Sequence, residues 1–173
     1  PSIYEVPLKM HQQHLDEIVL TKTGLPINGE PHLEPWLNFL HRMKNATKTV
    51  RIGLVGKYVE LPDAYKSINE SLFQAATYND RKLDLQYIHS EKLNSGNVDA
   101  MLSSLDGVLI APGFGQRGIE GKFIALKYAR EHDIPTFGVC LGMQCMVIEY
   151  ARDVLGYTDA NSTEMDVTTK HNV

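Results

Sequence analysis

The chain has few cysteines, no long apolar run and no large excess of charge of either sign. Its two cysteines fit a reducing compartment, so we expect a cytoplasmic protein. The apolar stretches have the length of strands, which predicts no membrane-spanning helix. The 17 basic and 21 acidic side chains leave a net charge of -4, so no basic surface is expected to attract nucleic acid or an anionic membrane.

The 173 residues can build one sizeable core with appendages, and they divide into two parts. In the first part we expect an extended piece at residues 2–8, a helix to about Val19 and a turn-rich break at 23–29. Glu34 and Pro35 then open a helix. Residues 44–49 are polar and are interpreted as a linker.

Residues 50–173 alternate between predicted strands and helices. The strands are expected at 50–55, 83–88, 106–111 and 134–139, and the helices at 63–76, 98–105, 119–131 and 141–151. Repeated strand–helix units predict an α/β fold with a parallel sheet that helices cover on both faces. In such sheets, functional sites lie at the carboxyl ends of the strands.

Cys140 lies where an apolar strand meets an apolar helix with no loop between them. Gly138 and Gly142 stand two residues away on either side, where they remove side chains that would crowd a sharp turn. This is the arrangement of a nucleophile elbow, with sulfur in place of a hydroxyl. The first turn of the helix offers unpaired N–H groups and a positive dipole, which favour a thiolate.

A cysteine in an apolar run is more often a small buried hydrophobe than a nucleophile. The two glycines at a strand–helix junction reverse that expectation for Cys140. Cys145 has no such setting, lies inside the predicted helix, and is interpreted as a core residue. The spacing of the two thiols suits neither a metal pair nor a disulfide.

A glycine-rich segment, residues 111–118, follows the predicted strand at 106–111. It lacks the Gly-Lys-Ser/Thr ending of a P-loop, and its Gly-x-Gly-x-x-Gly match lacks the acidic residue of a dinucleotide site. One interpretation is a turn without chemistry, since Pro-Gly often marks only a turn. The other is an oxyanion hole, in which the N–H groups of Gly113 and Leu141 hold a developing negative charge.

Three motifs resemble the class I, triad-type glutamine amidotransferases: residues 138–144, 112–115 and 161–164. The resemblance implies flavodoxin-like layers, L-glutamine as substrate and Cys140 as the nucleophile. It implies that Gly113 and Leu141 are the backbone oxyanion donors. It also implies three residues that line the glutamine pocket: Phe114, Gln144 and Glu164. A carboxylate is the best partner for a desolvated cation, so Glu164 is expected to bind the substrate ammonium.

Further motifs, at residues 56–67, 114–118 and 161–164, resemble one branch of that family. In that branch, ammonia passes to an amidoligase domain that phosphorylates UTP with ATP and Mg2+ and aminates it to CTP, and GTP activates the glutaminase step. The resemblance implies a homo-oligomer, a tetramer in the family, and places no cofactor or metal in this segment. It also implies that residues 1–49 are the end of the synthetase domain with a linker. Residues 50–173 are then part of the amidotransferase domain, truncated at the C-terminus.

Two departures from the family pattern bear on activity. Many relatives have Pro-Gly-Gly-Phe-Gly where residues 111–115 are Ala-Pro-Gly-Phe-Gly. Because proline has no N–H, only Gly113 of the pair Pro112 and Gly113 can donate a hydrogen bond. The family's His-x-Glu follows its Asn-Ser-Thr-Glu motif, and no such triplet occurs here after Cys140. We therefore expect these residues alone to be inactive. The alternatives are another class I glutamine amidotransferase, and a structural or regulatory module without catalysis.

Overall fold

The computed structural model describes residues 2–173, apart from the side chain of Pro62, and this part of the chain contains four β-strands and seven α-helices. The strands are β1 (Lys48–Gly56), β2 (Arg81–His89), β3 (Gly107–Ile110) and β4 (Thr136–Gly138). The helices are α1 (Val6–Gln12), α2 (Leu15–Thr23), α3 (Glu34–Asn45), α4 (Lys66–Tyr78), α5 (Val98–Leu102), α6 (Ile119–Glu131) and α7 (Leu141–Asp153). No helix in the described part is long and apolar enough to span a bilayer.

The four strands form one parallel sheet in the order β2-β1-β3-β4. Parallel neighbours need a crossover connection, and α4, α5 and α6 lie in the three connections. The predicted parallel α/β fold is confirmed. The order changes direction between β1 and β3, and the carboxyl ends of β1, β3 and β4 therefore lie together at one edge.

Alternating residues of the central strands divide the core into two layers. Leu54 and Leu109 pack with apolar residues of α4. Val55 and Ile110, one position further along each strand, pack with apolar residues of α5, α6 and α7. Because successive side chains of a strand point to opposite faces, the sheet is covered on both sides, as the sequence predicts.

The expectation of an extended piece at residues 2–8 is wrong. The Ser2 hydroxyl accepts the N–H of Tyr4 at 3.2 Å, and the Glu5 carboxylate accepts the N–H of Ser2 at 3.1 Å. These two bonds form a capping box, which starts a short 3-10 turn (Ile3–Glu5) that leads directly into α1. The single helix expected to about Val19 is interrupted at His14, whose φ of 56° separates α1 from α2.

Aromatic side chains join the N-terminal helices to the layer that covers the sheet. The Tyr4 ring lies 6.1 Å from Trp36 and 5.4 Å from Phe39, both on α3, and 5.2 Å from Phe73 on α4. The Trp36 indole N–H also donates to the Tyr4 carbonyl at 2.8 Å. The division of the chain at residue 49 stays a prediction, and β1 begins one residue before it, at Lys48.

Candidate active site

Cys140 lies at the carboxyl edge of the sheet in a strained backbone conformation. It stands two residues after the end of β4 and directly before the first residue of α7. Its φ of 53° and ψ of -113° fall outside the left-handed helical region, where ψ is about +30 to +60°. Strain of this kind costs about 1–3 kcal/mol and persists only where the surrounding structure enforces it. The sharp strand-to-helix turn expected from the sequence is present, with its strain at the cysteine.

The two flanking glycines allow this sharp turn, each through a different close contact. A Cβ at Gly142 would lie 2.1 Å from the carbonyl oxygen of Ile110 at the end of β3, and a Cβ at Gly138 would lie 2.5 Å from the N atom of Met143 in α7. The N–H of Val139 also donates to the Ile110 carbonyl at 3.1 Å. A larger residue at position 142 would therefore collide with β3, and one at position 138 would collide with the first turn of α7.

The first turn of α7 presents backbone N–H groups beside the thiol. The Cys140 carbonyl accepts from Met143 at 3.0 Å and from Gln144 at 3.2 Å, while the Leu141 N–H takes part in no hydrogen bond within residues 2–173. The Cys140 side chain is exposed. An exposed sulfur and a vacant donor thus lie on adjacent residues.

Cys145 is the second thiol of α7 and has the opposite character. It is fully buried among apolar residues of the core. Burial raises the pKa of its thiol to about 11. A neutral, inaccessible thiol is a poor nucleophile, so the interpretation of Cys145 as a core residue is confirmed.

The glycine loop that follows β3 lies beside Cys140, because β3 and β4 are paired neighbours. Gly113 has a φ of 129°, which favours glycine, and a Cβ there would lie 3.2 Å from Cε of Lys57. None of the hydrogen bonds found in the described residues uses the Gly113 N–H. Gly113 and Leu141 therefore both carry vacant donors at the edge of the sheet where the expected oxyanion hole would lie.

Two buried lysines hold the carbonyl groups of this loop. Lys57, which follows β1, donates to the Phe114 carbonyl. Lys122 on α6 is 0% exposed and donates from Nζ to the Ala111 carbonyl at 2.7 Å. Burial lowers the pKa of Lys122, and the nearby thiols of Cys145 and Cys140 oppose that effect. The two bonds fix the peptide groups on either side of Gly113.

Sequence reasoning missed both lysines. For Lys122 a signal existed: it lies three residues after Ile119 and four before Leu126, so it shares their inward face of α6. A charged residue on an apolar face is rarely buried without a partner, and here the partner is a backbone carbonyl. Lys57 had no comparable periodic signal, since it lies in the turn after a strand.

The three expected pocket residues lie in different settings. Phe114 is 73% exposed in the glycine loop. Gln144 lies one turn along α7 from Cys140, and its Oε1 atom is buried without a hydrogen-bond partner in the described structure. Glu164 is exposed, and none of the hydrogen bonds or ion pairs among residues 2–173 joins its carboxylate to Cys140 or to the glycine loop.

One side chain connects the loop at residues 160–166, called here the Glu164 loop, with the glycine loop at residues 111–118. The Gln116 side-chain amide donates to the carbonyl of Met165 at 3.0 Å. The structure thus places Cys140, Leu141 and the Gly113 loop at the carboxyl ends of two neighbouring strands. It places the Glu164 loop next to them through this bond, which sequence spacing could not predict.

Neither His89 nor His171 is hydrogen-bonded to Cys140. His171 bonds to the Asp159 carboxylate at 2.6 Å and stacks on Tyr157 at 4.4 Å, and this bond lowers the pKa of Asp159. His89 accepts the N–H of Glu91 at 3.3 Å. In the part of the chain that is described, no group of three His, Cys, Asp or Glu side chains could hold a metal ion.

Comparison with known families and proteins shows the family to which this chain belongs. The family described as glutamine amidotransferase class-I matches residues 60–172. The chain is 66% identical to the CTP synthase of Bacteroides fragilis over 172 residues, which is 99% of this chain and 32% of that protein. It is 61% identical to the CTP synthase of Porphyromonas gingivalis over 173 residues, which is 100% of this chain and 32% of that protein. The chain thus spans 32% of the length of each relative.

A solved structure has a similar fold. It is the glutaminase domain of Trypanosoma brucei CTPS with bound acivicin, to which this chain is 42% identical. The two superpose with a TM-score of 0.66 over 72% of this chain and 49% of that chain. The similarity agrees with the parallel sheet and flanking helices described above.

Proposed function

Because the chain belongs to the class I glutamine amidotransferase family, we propose that it is the glutamine-hydrolysing part of a CTP synthase. One observation carries the proposal: an exposed cysteine with a strained backbone opens α7 beside a glycine loop that has a vacant N–H. The identity to CTP synthases favours the ammonia acceptor of that enzyme over the acceptors of other class I amidotransferases. The same strained geometry argues against a purely structural module, which would have no need to maintain it.

In the proposed reaction, the Cys140 sulfur attacks the carboxamide carbon of glutamine. A carbon–sulfur bond forms, the carbon–nitrogen bond breaks, and the nitrogen leaves as ammonia after taking up a proton. Water then cleaves the thioester, which yields glutamate and restores the thiol. The N–H groups of Gly113 and Leu141 stabilise the negative oxygen in both steps, and the lysine bonds to the loop orient the Gly113 peptide in advance.

The substrate is proposed to be held by groups around this centre. The exposed carboxylate of Glu164 is suited to the α-ammonium group. Gln144 is proposed to line the glutamine pocket, since it lies one turn along α7 from Cys140. The exposed ring of Phe114 offers apolar surface for the methylene groups.

The remaining parts of the activity are assigned outside these residues. The acid and base steps are expected to use a His-x-Glu pair, and none follows Cys140 here. UTP is proposed as the ammonia acceptor in an amidoligase domain that uses ATP and Mg2+, with GTP as activator. None of these groups is assigned to a residue of this chain. We further propose that the enzyme is a cytoplasmic homo-oligomer.

The test uses the full-length enzyme that contains this chain. Cys140→Ala should abolish glutamine-dependent CTP formation and leave ammonia-dependent formation intact, because the amination site lies elsewhere. Cys145→Ala is the matched control on the same helix and should keep glutamine use. Glutamine-dependent synthesis that survives Cys140→Ala would refute the proposal.

A further inference from the structure

Helix α7 begins at the nucleophile and ends at a cation that bonds to the loop of Glu164. Arg152 lies in the last turn of α7, and its Nε donates to the carbonyl of Ala160 at 2.6 Å. Its guanidinium lies over the ring of Phe123 on α6, 4.8 Å from the centroid. Two contacts from different elements therefore fix the position of this long side chain.

The carboxylates nearest to Arg152 on its own helix are bound to other cations. Glu149 is 5% exposed and bonds to Arg130 at 2.7 Å. Asp153 pairs with Lys127 at 3.3 Å. The Arg152 cation is thus directed to a backbone carbonyl, where a charge-assisted hydrogen bond is stronger than a neutral one.

The loop that receives this bond also carries Glu164, and internal hydrogen bonds hold it together. Ala160 is 0% exposed and directly precedes the Asn-Ser-Thr-Glu motif. Ser162 accepts the N–H of Glu164 on its hydroxyl at 3.3 Å, and the N–H groups of Met165 and Asp166 on its carbonyl at 2.9 Å. These bonds are internal to the loop. Its position relative to α7 is set by the bond between Arg152 and Ala160, together with the Gln116–Met165 bond and the packing of Met165 on the core.

We propose that Arg152 is a positioning residue for glutamine, which holds the Glu164 loop at the distance from Cys140 that the substrate spans. The inference rests on the proposed function. Arg152 does not touch the substrate; it orients the group that binds the ammonium while the carboxamide lies at the sulfur. A guanidinium suits this role, since its planar donors keep one orientation, whereas a lysine ammonium is a rotating point charge.

The test is Arg152→Gln in the full-length enzyme. The KM for glutamine should rise about tenfold, the size expected for one lost charge-assisted hydrogen bond, and should change more than kcat. Ammonia-dependent CTP synthesis bypasses this site and reports correct folding. Arg152→Lys keeps the charge and should recover part of the lost affinity.

Alkylation of Cys140 gives a readout that a general loss of stability would not produce. Iodoacetamide carries no ammonium group, whereas an amino-acid electrophile such as acivicin does. Arg152→Gln should slow inactivation by acivicin and leave the rate with iodoacetamide unchanged. Equal slowing of both reagents would overturn the inference.

Arg130→Gln is the matched control, because Arg130 also lies between α6 and α7 but bonds to Glu149 instead of the loop. An unchanged KM in Arg152→Gln, or the same rise in Arg130→Gln, would overturn the inference. If Arg152→Gln loses ammonia-dependent synthesis, the KM of Arg152→Lys for glutamine is used instead. A KM above that of the wild type supports the inference, and an unchanged KM overturns it. Glutamine-dependent synthesis in Cys140→Ala would refute the proposed function itself. The KM values of the Arg152 and Arg130 variants test only the positioning role of Arg152.

Discussion

Replacing Gly142 by alanine tests whether the close contact of α7 with β3 sets the geometry of Cys140. A Cβ at this position would lie 2.1 Å from the oxygen and 2.9 Å from the carbon of the Ile110 carbonyl. Carbon and oxygen atoms in close contact stand about 3.3–3.6 Å apart, so α7 must retreat by roughly 1 Å or more. Both contacted atoms belong to a buried backbone in the sheet, which cannot turn away as a side chain could.

The displacement has two expected consequences. A misplacement of about 1 Å can lower the rate of a reaction about a hundredfold, so kcat for glutamine hydrolysis in the full-length enzyme should fall by about that factor. Overpacking of a buried position should also lower the free energy of unfolding by about 1–3 kcal/mol. Ammonia-dependent CTP synthesis should keep its wild-type rate, since it does not need Cys140.

The assay compares glutamine hydrolysis, ammonia-dependent synthesis and urea unfolding for the variant and the wild type. Gly96→Ala is the control, because a Cβ there would meet only the side-chain oxygen of Asn94, at 3.2 Å, and that side chain can rotate. A Gly142→Ala enzyme that hydrolyses glutamine at the rate of Gly96→Ala would show that the contact does not position the cysteine.

Two further predictions follow from the buried lysine and from the missing base. Because burial lowers the pKa of Lys122 from 10.5, the unfolded chain binds more protons than the folded one as pH rises. The wild type should therefore gain unfolding free energy relative to Lys122→Met between neutral pH and about 10.5, measured by urea unfolding; a difference independent of pH would contradict this. The 173 residues alone should release no ammonia over repeated turnovers of glutamine. Ammonia release that Cys140→Ala abolishes would instead show that a histidine already present, His89 or His171, serves as the base.

Much of the fold could be predicted because its signals are local. Apolar periodicity marks α6 over its whole length, and the glycines around Cys140 mark a turn that only small residues allow. The strand expected at 134–139 is reduced to β4 (Thr136–Gly138), since it pairs with β3, which has only four residues. Strand length thus depends on the partner strand, which a single segment does not reveal.

The errors and omissions have physical causes as well. The Ser-x-x-Glu spacing at Ser2 and Glu5 is a capping signal, which favours a helical turn over the extended piece expected at residues 2–8. The bonds of Lys57, Lys122 and Arg152 end on backbone carbonyls, which every residue carries and which leave no mark in a sequence. Such contacts follow only from the packed arrangement of strands and helices.

The two faces of the sheet are covered by layers with different contacts, and this difference affects which substitutions the protein can accept during evolution. The layer of α5, α6 and α7 contains Lys122 and Arg152, and its helix α7 begins directly after Cys140. The layer of α4 contacts the aromatic cluster of Tyr4, Trp36 and Phe39. Substitutions in α4 and in that cluster can therefore alter the attachment of the N-terminal helices while the layer that contains the candidate site stays unchanged. That layer can in this way be inherited with different neighbouring segments.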